Sequence, residues 1–338
     1  MFKKKKEVIK EVKEKPKIKI HFVCGEIGEP KKNEVWGGTK ATNYTIKRAF
    51  ENSKKYELVI KKRNDFKDIV EVKKFLDEGN ISWLDDSILL GKFYAAGFDR
   101  PQIIGPITRS PIKNYNNGAW DSVYTPKWFY NGIVLRLNEN EEKELTRKPE
   151  YHKSKEDYLS KVDFIRHGVD TELLKPNNKQ RKYVLWAADA ARHAKNFQLW
   201  EDIKREIIYH GGLPHGFEFR QMSGYAVDKY WEVLDETAVY VVTSLYESFC
   251  CAANEARAKG VPTIVRDFLT GEYMYTDQPI QVPYTPADYA KKIIELCRNK
   301  DTLEKESKKA REWVEKNCSL DTMRKDIEKI LDKVKVKK

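Results

Sequence analysis

Short apolar runs alternate with stretches of helical periodicity along the first half of the chain. The run Ile18–Val23 predicts a buried strand, a loop with Gly25 and Gly28 follows, and residues Ala41–Phe50 have a helical pattern. A strand, a glycine-containing loop and a helix in this order are the opening of a βαβ unit. The same patterns predict strands at Tyr56–Lys61, Asn80–Trp83, Gln102–Ile107 and Ile133–Leu137, with helices at Phe66–Asp77, Ser87–Ala96 and Asn138–Lys148.

The second half of the chain repeats this alternation. A second series begins with a predicted strand at Val162–Arg166, and the helix that contains Glu255–Lys259 ends at Gly260, a suitable C-terminal residue. Alternating strands and helices are typical of parallel sheets that helices cover on both faces. Further strands are predicted at Tyr183–Ala187, Phe217–Arg220, Ala238–Thr243 and Val261–Arg266, and helices at Asn196–Tyr209, Val227–Leu234, Pro286–Asn299, Thr302–Asn317 and Leu320–Val336.

The two series have similar lengths, which predicts two α/β domains. We place a basic tail at 1–16, a first Rossmann-like domain at 17–160, a second at 161–318, and a C-terminal helix with a basic tail at 319–338. The last amphipathic helix is left over from the second series, and we expect it to cross back. In open α/β sheets ligands bind beyond the carboxyl ends of the strands, so two such domains facing each other predict a ligand in the cleft.

Composition narrows the class of protein without naming a partner. The 338 residues carry a net charge of +12, which favours anionic partners such as nucleic acid, acidic lipid headgroups or phosphorylated substrates. Much of the excess lies in the tails, because residues 3–19 hold nine lysines and residues 329–338 hold five. No apolar run approaches the roughly 20 residues that span a bilayer, and no apolar segment follows the basic start, so we expect a cytoplasmic protein. The five scattered cysteines are expected to be reduced.

The most informative stretch is Thr243–Pro262. Its buried strand ends in a short loop that carries Glu247, and a helix that begins near Phe249 or Cys250 holds Glu255 about two turns in. The start of a helix presents unpaired N–H groups and a positive dipole end, which suit a phosphate. A carboxylate in the loop can accept hydrogen bonds from sugar hydroxyls, and one along the helix can accept from a ribose diol. Phosphate, sugar and ribose are the parts of a nucleotide-sugar.

This stretch resembles the E-x7-E signature of retaining GT-B glycosyltransferases of family four. The chain departs from that pattern at Cys250, where glycine is usual. The resemblance implies a metal-independent GT-B enzyme in which Glu247 binds sugar hydroxyls near the reacting centre and Glu255 binds the ribose. It also implies that backbone N–H groups of Phe249, Cys250 and Cys251 bind the diphosphate. The matching positions are Ser244, Glu247, Phe249, Glu255, Ala256, Ala258, Gly260, Pro262 and Ile264.

Other segments resemble the same family in the same order. Gly37 and Gly38 resemble the N-terminal glycine loop that approaches the diphosphate, and His167–Pro176 resembles the element that opens the second domain. Arg192 and Lys195 resemble the cationic pair that binds the diphosphate, although the usual Gly-Arg dipeptide is missing here. Two cations at a helix start would offset the charge of a diphosphate. The resemblance therefore implies that both side chains belong to the catalytic set.

One more pair of residues completes the predicted site. Gly224 and Tyr225 resemble the loop that holds the nucleotide base, through backbone groups or by stacking.

The adjacent carboxylates Asp85 and Asp86 are not part of the predicted site. They are poorly spaced to share a cation, so we expect them to cap the helix Ser87–Ala96 and predict no metal site.

The resemblance implies a retaining, hexosyltransferase-type glycosyltransferase that needs neither a metal nor a separate cofactor. Its substrate would be a nucleotide-sugar such as a UDP- or GDP-sugar, bound by the second domain, and the first domain would bind an acceptor such as a glycan or a lipid-linked molecule. Two alternatives stay open: a virus-type nucleobase glucosyltransferase that acts on DNA, which the positive charge would suit, and a non-catalytic nucleotide-binding protein that kept the fold. The basic tails could also hold the protein near anionic membrane lipids.

Overall fold

The computed structural model describes residues 16–107, 132–136, 162–245, 247, 250–266 and 280–337. The strands of the first sheet are β1 (Ile18–Cys24), β2 (Tyr56–Lys62), β3 (Ile81–Asp85), β4 (Ile103–Ile107), β5 (Ile133–Arg136) and β6 (Val162–Phe164). Within the described part of the chain they form a parallel sheet in the order β2-β1-β3-β4-β5-β6. Strands such as β3 are buried throughout, as expected for a parallel sheet that helices cover on both faces.

Side-chain caps fix where the helices of the first domain begin. Asp68 accepts hydrogen bonds from the first turn of one helix, and Asp86 accepts one of 2.9 Å from the backbone N–H of Leu89 in the next. The predicted helix cap by the acidic pair is therefore confirmed for Asp86. The predicted helix at 138–148 lies outside the described residues. The described helices of this domain are α1 (Gly38–Phe50), α2 (Ile69–Glu78) and α3 (Ser87–Ala95).

The second sheet is again parallel and again covered by helices. Its strands are β7 (Tyr183–Ala187), β8 (Glu218–Met222), β9 (Thr237–Val241), β10 (Thr263–Arg266) and β11 (Ile280–Val282), in the order β11-β10-β9-β7-β8. The helices that follow in the chain are α4 (Phe197–Tyr209), α5 (Val227–Leu234), α6 (Cys251–Ala258), α7 (Pro286–Arg298), α8 (Lys300–Cys318) and α9 (Leu320–Leu331). A fully buried core that includes Trp186, Trp200 and Ile264 lies between this sheet and its helices.

One strand differs from the prediction in the sheet that it joins. The sequence analysis placed the strand at 162–166 at the start of the second series, whereas β6 pairs with β5 and completes the first sheet. An apolar run reveals that a strand exists, but the neighbour with which it exchanges hydrogen bonds is a non-local property. The chain therefore passes from the first sheet to the second between Phe164 and Tyr183.

The last helix crosses back to the first domain, as predicted. On α9, Met323, Ile327 and Leu331 are fully buried, and they belong to the same apolar cluster as Ile20 of β1 and Ile46 of α1. Burial of aliphatic side chains such as these contributes about 1.5–3 kcal/mol each. The apolar face that the sequence predicts for the last helix is thus buried against the first domain.

Each sheet has a point at which the strand order reverses, and these points mark where a ligand binds in open α/β sheets. In the first sheet β1 lies between β2 and β3, and in the second β7 lies between β8 and β9. The carboxyl ends of β7 and β9 are neighbours, with Leu185 paired to Tyr240. The loops that follow these two strands carry Lys195 and Glu247. The fold therefore brings two predicted site residues to a switch point.

The described part of the chain lacks three features. It contains no helix that is both long and apolar enough to cross a membrane. It contains no group of three or more His, Cys, Asp or Glu side chains placed to hold a metal ion. Its cysteines form no disulfide, since all five are free, as the scattered spacing predicts.

Candidate active site

A Lys195–Glu247 ion pair lies where the loops after β7 and β9 meet. The ammonium group of Lys195 donates a short hydrogen bond to Glu247 Oε1, and the hydroxyl of Ser244 donates to the same oxygen at 2.7 Å. The two side chains are only 17% and 11% exposed. Two residues 52 positions apart in the sequence are thus joined in a largely buried, charge-assisted contact.

The two loops are also joined through their backbones. The N–H of Leu245 donates to the carbonyl of Ala194 at 2.8 Å, and the hydroxyl of Thr243 donates to the carbonyl of Lys195 at 2.8 Å. The buried indole of Trp186, on β7, donates to the hydroxyl of Thr243 at 2.8 Å. These contacts hold the ion pair on rigid elements, so its geometry does not depend on a ligand.

The electrostatic setting keeps the lysine charged. Burial by itself lowers the pKa of Lys195, but attraction to the Glu247 carboxylate and their hydrogen bond raise it above its usual value. An ammonium group that is shielded from water attracts an anion more strongly than one on the surface. The arrangement can therefore hold a negative phosphate group close to the carboxylate.

The structure does not bring the guanidinium group of Arg192 into this contact. Its carbonyl accepts from the N–H of Lys195 at 2.8 Å, but the side chain is exposed and makes no hydrogen bond or ion pair with any described residue. The predicted pairing of Arg192 with Lys195 is thus seen only in the backbone. A long exposed side chain can still reach a bound anion, so the diphosphate role of Arg192 stays a prediction.

Helix α6 begins at the position where the sequence departs from the family pattern. Cys250 lies just before the helix with a left-handed backbone, φ 60° and ψ 67°. Glycine adopts this conformation without strain, which explains why glycine is usual at this position. Cys250 adopts it at a cost in free energy. Phe249 lies outside the described residues. The side chain of Cys250 makes no capping hydrogen bond, and the first turn of the helix follows the loop of Glu247 in the chain.

The two cysteines of this turn are neutral thiols. Burial raises the pKa of Cys250 to about 12 and raises that of Cys251 well above its usual value. The sulfur of Cys251 lies 3.5 Å from Nε2 of His167, and burial lowers the pKa of that imidazole to about 4. A raised pKa keeps both thiols protonated, and both cysteines are free, in agreement with the prediction of reduced cysteines.

The carboxylate of Glu255 contacts the neighbouring helix α5. The indole N–H of Trp231, on α5, donates to Glu255 Oε2 at 2.9 Å. Burial raises the pKa of the carboxyl to about 7, although the hydrogen bond from Trp231 favours the ionised form. Trp231 was not among the predicted site residues, since an aromatic side chain on an amphipathic helix reads first as core.

The predicted base-binding residues Gly224 and Tyr225 lie just before helix α5 in the chain. Gly224 is exposed with a left-handed backbone, φ 63°, at the end of β8. The ring of Tyr225 packs on Tyr230 with centroids 4.9 Å apart, and burial raises the pKa of its hydroxyl. The ring of Tyr225 is therefore partly buried, so the exposed backbone at Gly224 is more accessible to a base than this ring is.

The glycine loop of the first domain reaches the second domain. Gly37 precedes α1 and Gly38 begins it, and a Cβ atom at either position would meet no atom within 4 Å. The packing of the protein itself thus does not require glycine there, and close approach of a ligand stays the predicted reason. Just before them, Trp36 lies edge-on to Trp231 with centroids 6.1 Å apart. Residues 36 and 231 have no local signal that predicts this contact.

A second contact between the domains was also missed by the sequence analysis. Asp170 is 5% exposed and accepts hydrogen bonds of 3.2 Å from Nε and Nη2 of Arg48 on α1. The segment that resembles the opening of the second domain therefore also binds the first one. Since the partners are 122 positions apart, only a structure can join them.

Solved structures that resemble this chain are glycosyltransferases. An α-glucosyltransferase in complex with UDP and a 13-mer DNA containing an HMU base matches with TM-score 0.64 and 10% identity, over 94% of this chain and all of that chain (100%). Sucrose-phosphate synthase from Thermosynechococcus elongatus matches with TM-score 0.63 and 13% identity, over 94% of this chain and 98% of that chain. TarM from S. aureus matches with TM-score 0.59 and 13% identity over 78% of this chain, which spans only 58% of the length of TarM.

The two sheets, the crossing helix and these matches define the fold as GT-B, the two-domain fold of glycosyltransferases. Residues 208–313 match the family model described as glycosyl transferases group 1. This part of the second domain is therefore similar to group 1 glycosyltransferases, which agrees with the resemblance seen in the sequence, and its assignment to retaining family four stays a prediction. No curated protein sequence matches the chain.

Proposed function

We propose that this protein is a retaining, metal-independent glycosyltransferase that transfers a hexosyl group from a nucleotide-sugar to an acceptor held by the first domain. The observation that carries the proposal is the buried Lys195–Glu247 ion pair at the switch point of the second sheet, next to the first turn of α6. A cation, free N–H groups and a carboxylate at one place match the charges of a sugar diphosphate whose sugar becomes positive as it leaves.

Each group has a role in this proposal. Lys195 and the N–H groups at the start of α6 hold the departing diphosphate, with Arg192 as an additional cation. Glu247 accepts from sugar hydroxyls and stabilises the oxocarbenium-like sugar. Because the ion pair already exists without a ligand, the donor would find both charges oriented, and this lowers the cost of reorganisation during the reaction. Glu255 holds the ribose.

The proposal is tested by measuring donor hydrolysis and sugar transfer in Lys195→Met and Glu247→Gln. Each variant should lose about 10²–10³-fold in turnover, the usual cost of removing one electrostatic group that acts on the transition state. Lys259→Met is the matched control, because Lys259 forms a similarly buried ion pair with Asp235 in the same domain. Near wild-type turnover in either site variant would contradict the assigned roles.

The donor class can be found by thermal shift with UDP, GDP, ADP and CDP and with their sugars. UDP comes first because the glucosyltransferase that resembles this chain is in complex with UDP, as is HepE from Anabaena, which matches with TM-score 0.60 and 10% identity over 94% of this chain. We expect one nucleoside diphosphate to raise the unfolding temperature more than the others do. No shift with any of them would contradict nucleotide binding.

DNA is the second candidate acceptor. The net charge of +12 would suit it, and a protein of the same fold is bound to DNA. Salt-sensitive retention of the protein on DNA, together with sugar incorporation into that DNA, would favour this candidate over a glycan or lipid-linked acceptor. Nucleotide-sugar binding with no hydrolysis after long incubation would instead favour a non-catalytic protein. Sedimentation with anionic vesicles tests the role of the basic tails at the membrane.

A further inference from the structure

Helix α5 holds the side of α6 that carries Glu255. The hydroxyl of Tyr230 donates to the carbonyl of Ala252 at 2.6 Å, and the indole of Trp231 donates to the Glu255 carboxylate at 2.9 Å. The first contact joins the Tyr230 side chain to the backbone of α6, whereas the second holds only a side-chain carboxylate. The ring of Trp231 also packs against the core, but its hydrogen bond to Glu255 is not needed for that packing.

The indole N–H is the single side-chain donor to Glu255 among the described residues. A glutamate has three rotatable bonds, and fixing them costs about 1.5–2 kcal/mol of side-chain entropy. A rigid indole that engages Oε2 removes that freedom in advance and leaves the other oxygen to accept from a ligand. An indole has one N–H donor, and here it is engaged by Glu255, so this N–H influences ligand hydroxyls through the carboxylate.

The surroundings of the pair explain why its orientation matters. Trp231 and Glu255 line a narrow cleft together with Trp36, Tyr44 and other mostly apolar groups. The first-domain loop is fastened onto α5, since the carbonyl of Glu34 accepts from the N–H of Val227 at 2.8 Å. A carboxylate in such a place has little water to bind, so a correctly placed diol gains a strong hydrogen bond.

We propose that Trp231 is a positioning residue for ribose recognition, which fixes the Glu255 carboxylate so that it accepts from the two ribose hydroxyls. The inference rests on the proposed function, because it assumes that Glu255 faces the ribose of a nucleotide. It predicts that the indole N–H contributes to the preference for a ribonucleotide and contributes nothing when the hydroxyls are absent.

The test compares Trp231→Phe with wild type by calorimetric titration. The ligands are the nucleoside diphosphate among UDP, GDP, ADP and CDP that wild type binds most tightly, and its 2′,3′-dideoxy form. Phenylalanine keeps an aromatic ring in the cleft but removes the N–H. We expect the ribo-to-dideoxy affinity ratio to fall about tenfold, the value of a hydrogen bond to a charged group, while affinity for the dideoxy form stays within about twofold.

Two further variants separate the outcomes. Trp200→Phe removes a buried indole on α4, whose N–H has no partner among the described residues, and it should leave the ratio unchanged. Glu255→Gln should lower the ratio as Trp231→Phe does. If it leaves the ratio unchanged, or if wild type binds none of the four nucleotides, the ribose role in the proposed function fails. If Glu255→Gln lowers the ratio and Trp231→Phe does not, only the positioning role of Trp231 is wrong.

The pH profile of the same ratio distinguishes positioning from a general structural effect. The carboxyl has a pKa of about 7, and the indole N–H favours its ionised form. The ratio should therefore rise as the pH passes through this region in wild type, and the midpoint should lie at higher pH in Trp231→Phe. Both ligands carry the same diphosphate, so its titration cancels in the ratio. An unchanged midpoint, or an equal loss for both ligands, would overturn the proposal.

Discussion

The carboxyl edges of the two sheets hold buried acidic groups in opposite electrostatic settings. At the second sheet, Glu247 faces the ammonium of Lys195 and the hydroxyl of Ser244. At the first sheet, Asp85 ends β3 beside a second carboxylate, Asp86, and no described cation pairs with it. Both places are switch points of their sheets, since β3 is the strand at which the order turns back past β1.

The chemical consequence is that Glu247 lies beside a cation, whereas Asp85 binds a proton more readily than an ordinary carboxylate does. Asp85 is 8% exposed, and burial together with the negative charge of Asp86 raises the pKa of its carboxyl to about 7. The side chain of Asn43 hydrogen-bonds to it and opposes this shift. The arginine nearby, Arg63, pairs with Asp86 instead, at 2.9 Å. The Lys195–Glu247 ion pair of the second edge thus exists before any ligand arrives, as the proposed binding of an anionic donor requires, whereas no described cation pairs with Asp85 at the first edge.

The largest expected effect on stability comes from removing the Lys195–Glu247 ion pair. Lys195→Met leaves Glu247 largely buried without its cation, and such a loss costs about 3–5 kcal/mol in the free energy of unfolding. Urea denaturation of the variant and of wild type measures the difference. Removing both charges in Lys195→Met/Glu247→Gln should recover a large part of the loss, because no buried charge is then left unpaired.

The control for this prediction lies at the opposite edge of the same sheet. Lys259 and Asp235 are 11% and 16% exposed, close to the values of the site pair. Lys259→Met should therefore lose similar stability but keep donor binding. A loss below about 1 kcal/mol in Lys195→Met would mean that the site pair behaves like a surface ion pair, and the contrast between the two edges would disappear.

The next largest effect is a pH dependence of stability that arises from Asp85. The carboxyl of Asp85 stays protonated in the folded state up to about pH 7, but in the unfolded chain it ionises near 3.8. Folding then takes up a proton between these values, so stability is greatest at low pH and falls as the pH rises toward 7. From pH 5 to pH 8 we expect Asp85 by itself to account for a fall of about 2–3 kcal/mol in the free energy of unfolding.

Asp85→Asn isolates this contribution, because an amide does not titrate. The variant should show a smaller fall between pH 5 and pH 8, and at pH 8 it should be more stable than wild type. Glu255, whose carboxyl also has a pKa of about 7, shifts stability in the same direction and accounts for part of what remains. An equal fall in wild type and Asp85→Asn would show that Asp85 is ionised in the folded protein.

The same two edges show what the sequence could predict. Lys195 follows β7, and Glu247 and Glu255 follow β9, so the pattern of strands and helices predicted where these residues lie, and the resemblance to a family motif selected them as site residues. The partner of β6 and the contact of Arg48 with Asp170 depend on pairs of residues far apart in the chain. A single sequence contains no local signal for such pairs, because propensity and periodicity describe one segment at a time.

The electrostatic difference itself was also beyond the sequence. Asp85 and Asp86 are adjacent and chemically identical, and the prediction that they cap α3 holds for Asp86 alone. What separates them is burial and the single arginine that reaches only one of them. Cys250 is the converse case, since the sequence marked it as a departure and the structure supplies the physical reason.

The smallest expected effect concerns that departure. A left-handed backbone costs a non-glycine residue about 1–2 kcal/mol, and glycine returns part of this through greater freedom of the unfolded chain. Cys250→Gly should therefore raise the free energy of unfolding by about 1 kcal/mol. Cys250→Ala is the matched control, because it removes the thiol and keeps the strained φ of 60°. If both variants change stability equally, the thiol and not the backbone decides the effect. Glycine stabilises the protein without changing donor affinity only if the strain at Cys250 does not alter the Lys195–Glu247 pair. We expect this result, because hydrogen bonds between the two loops hold that pair in place.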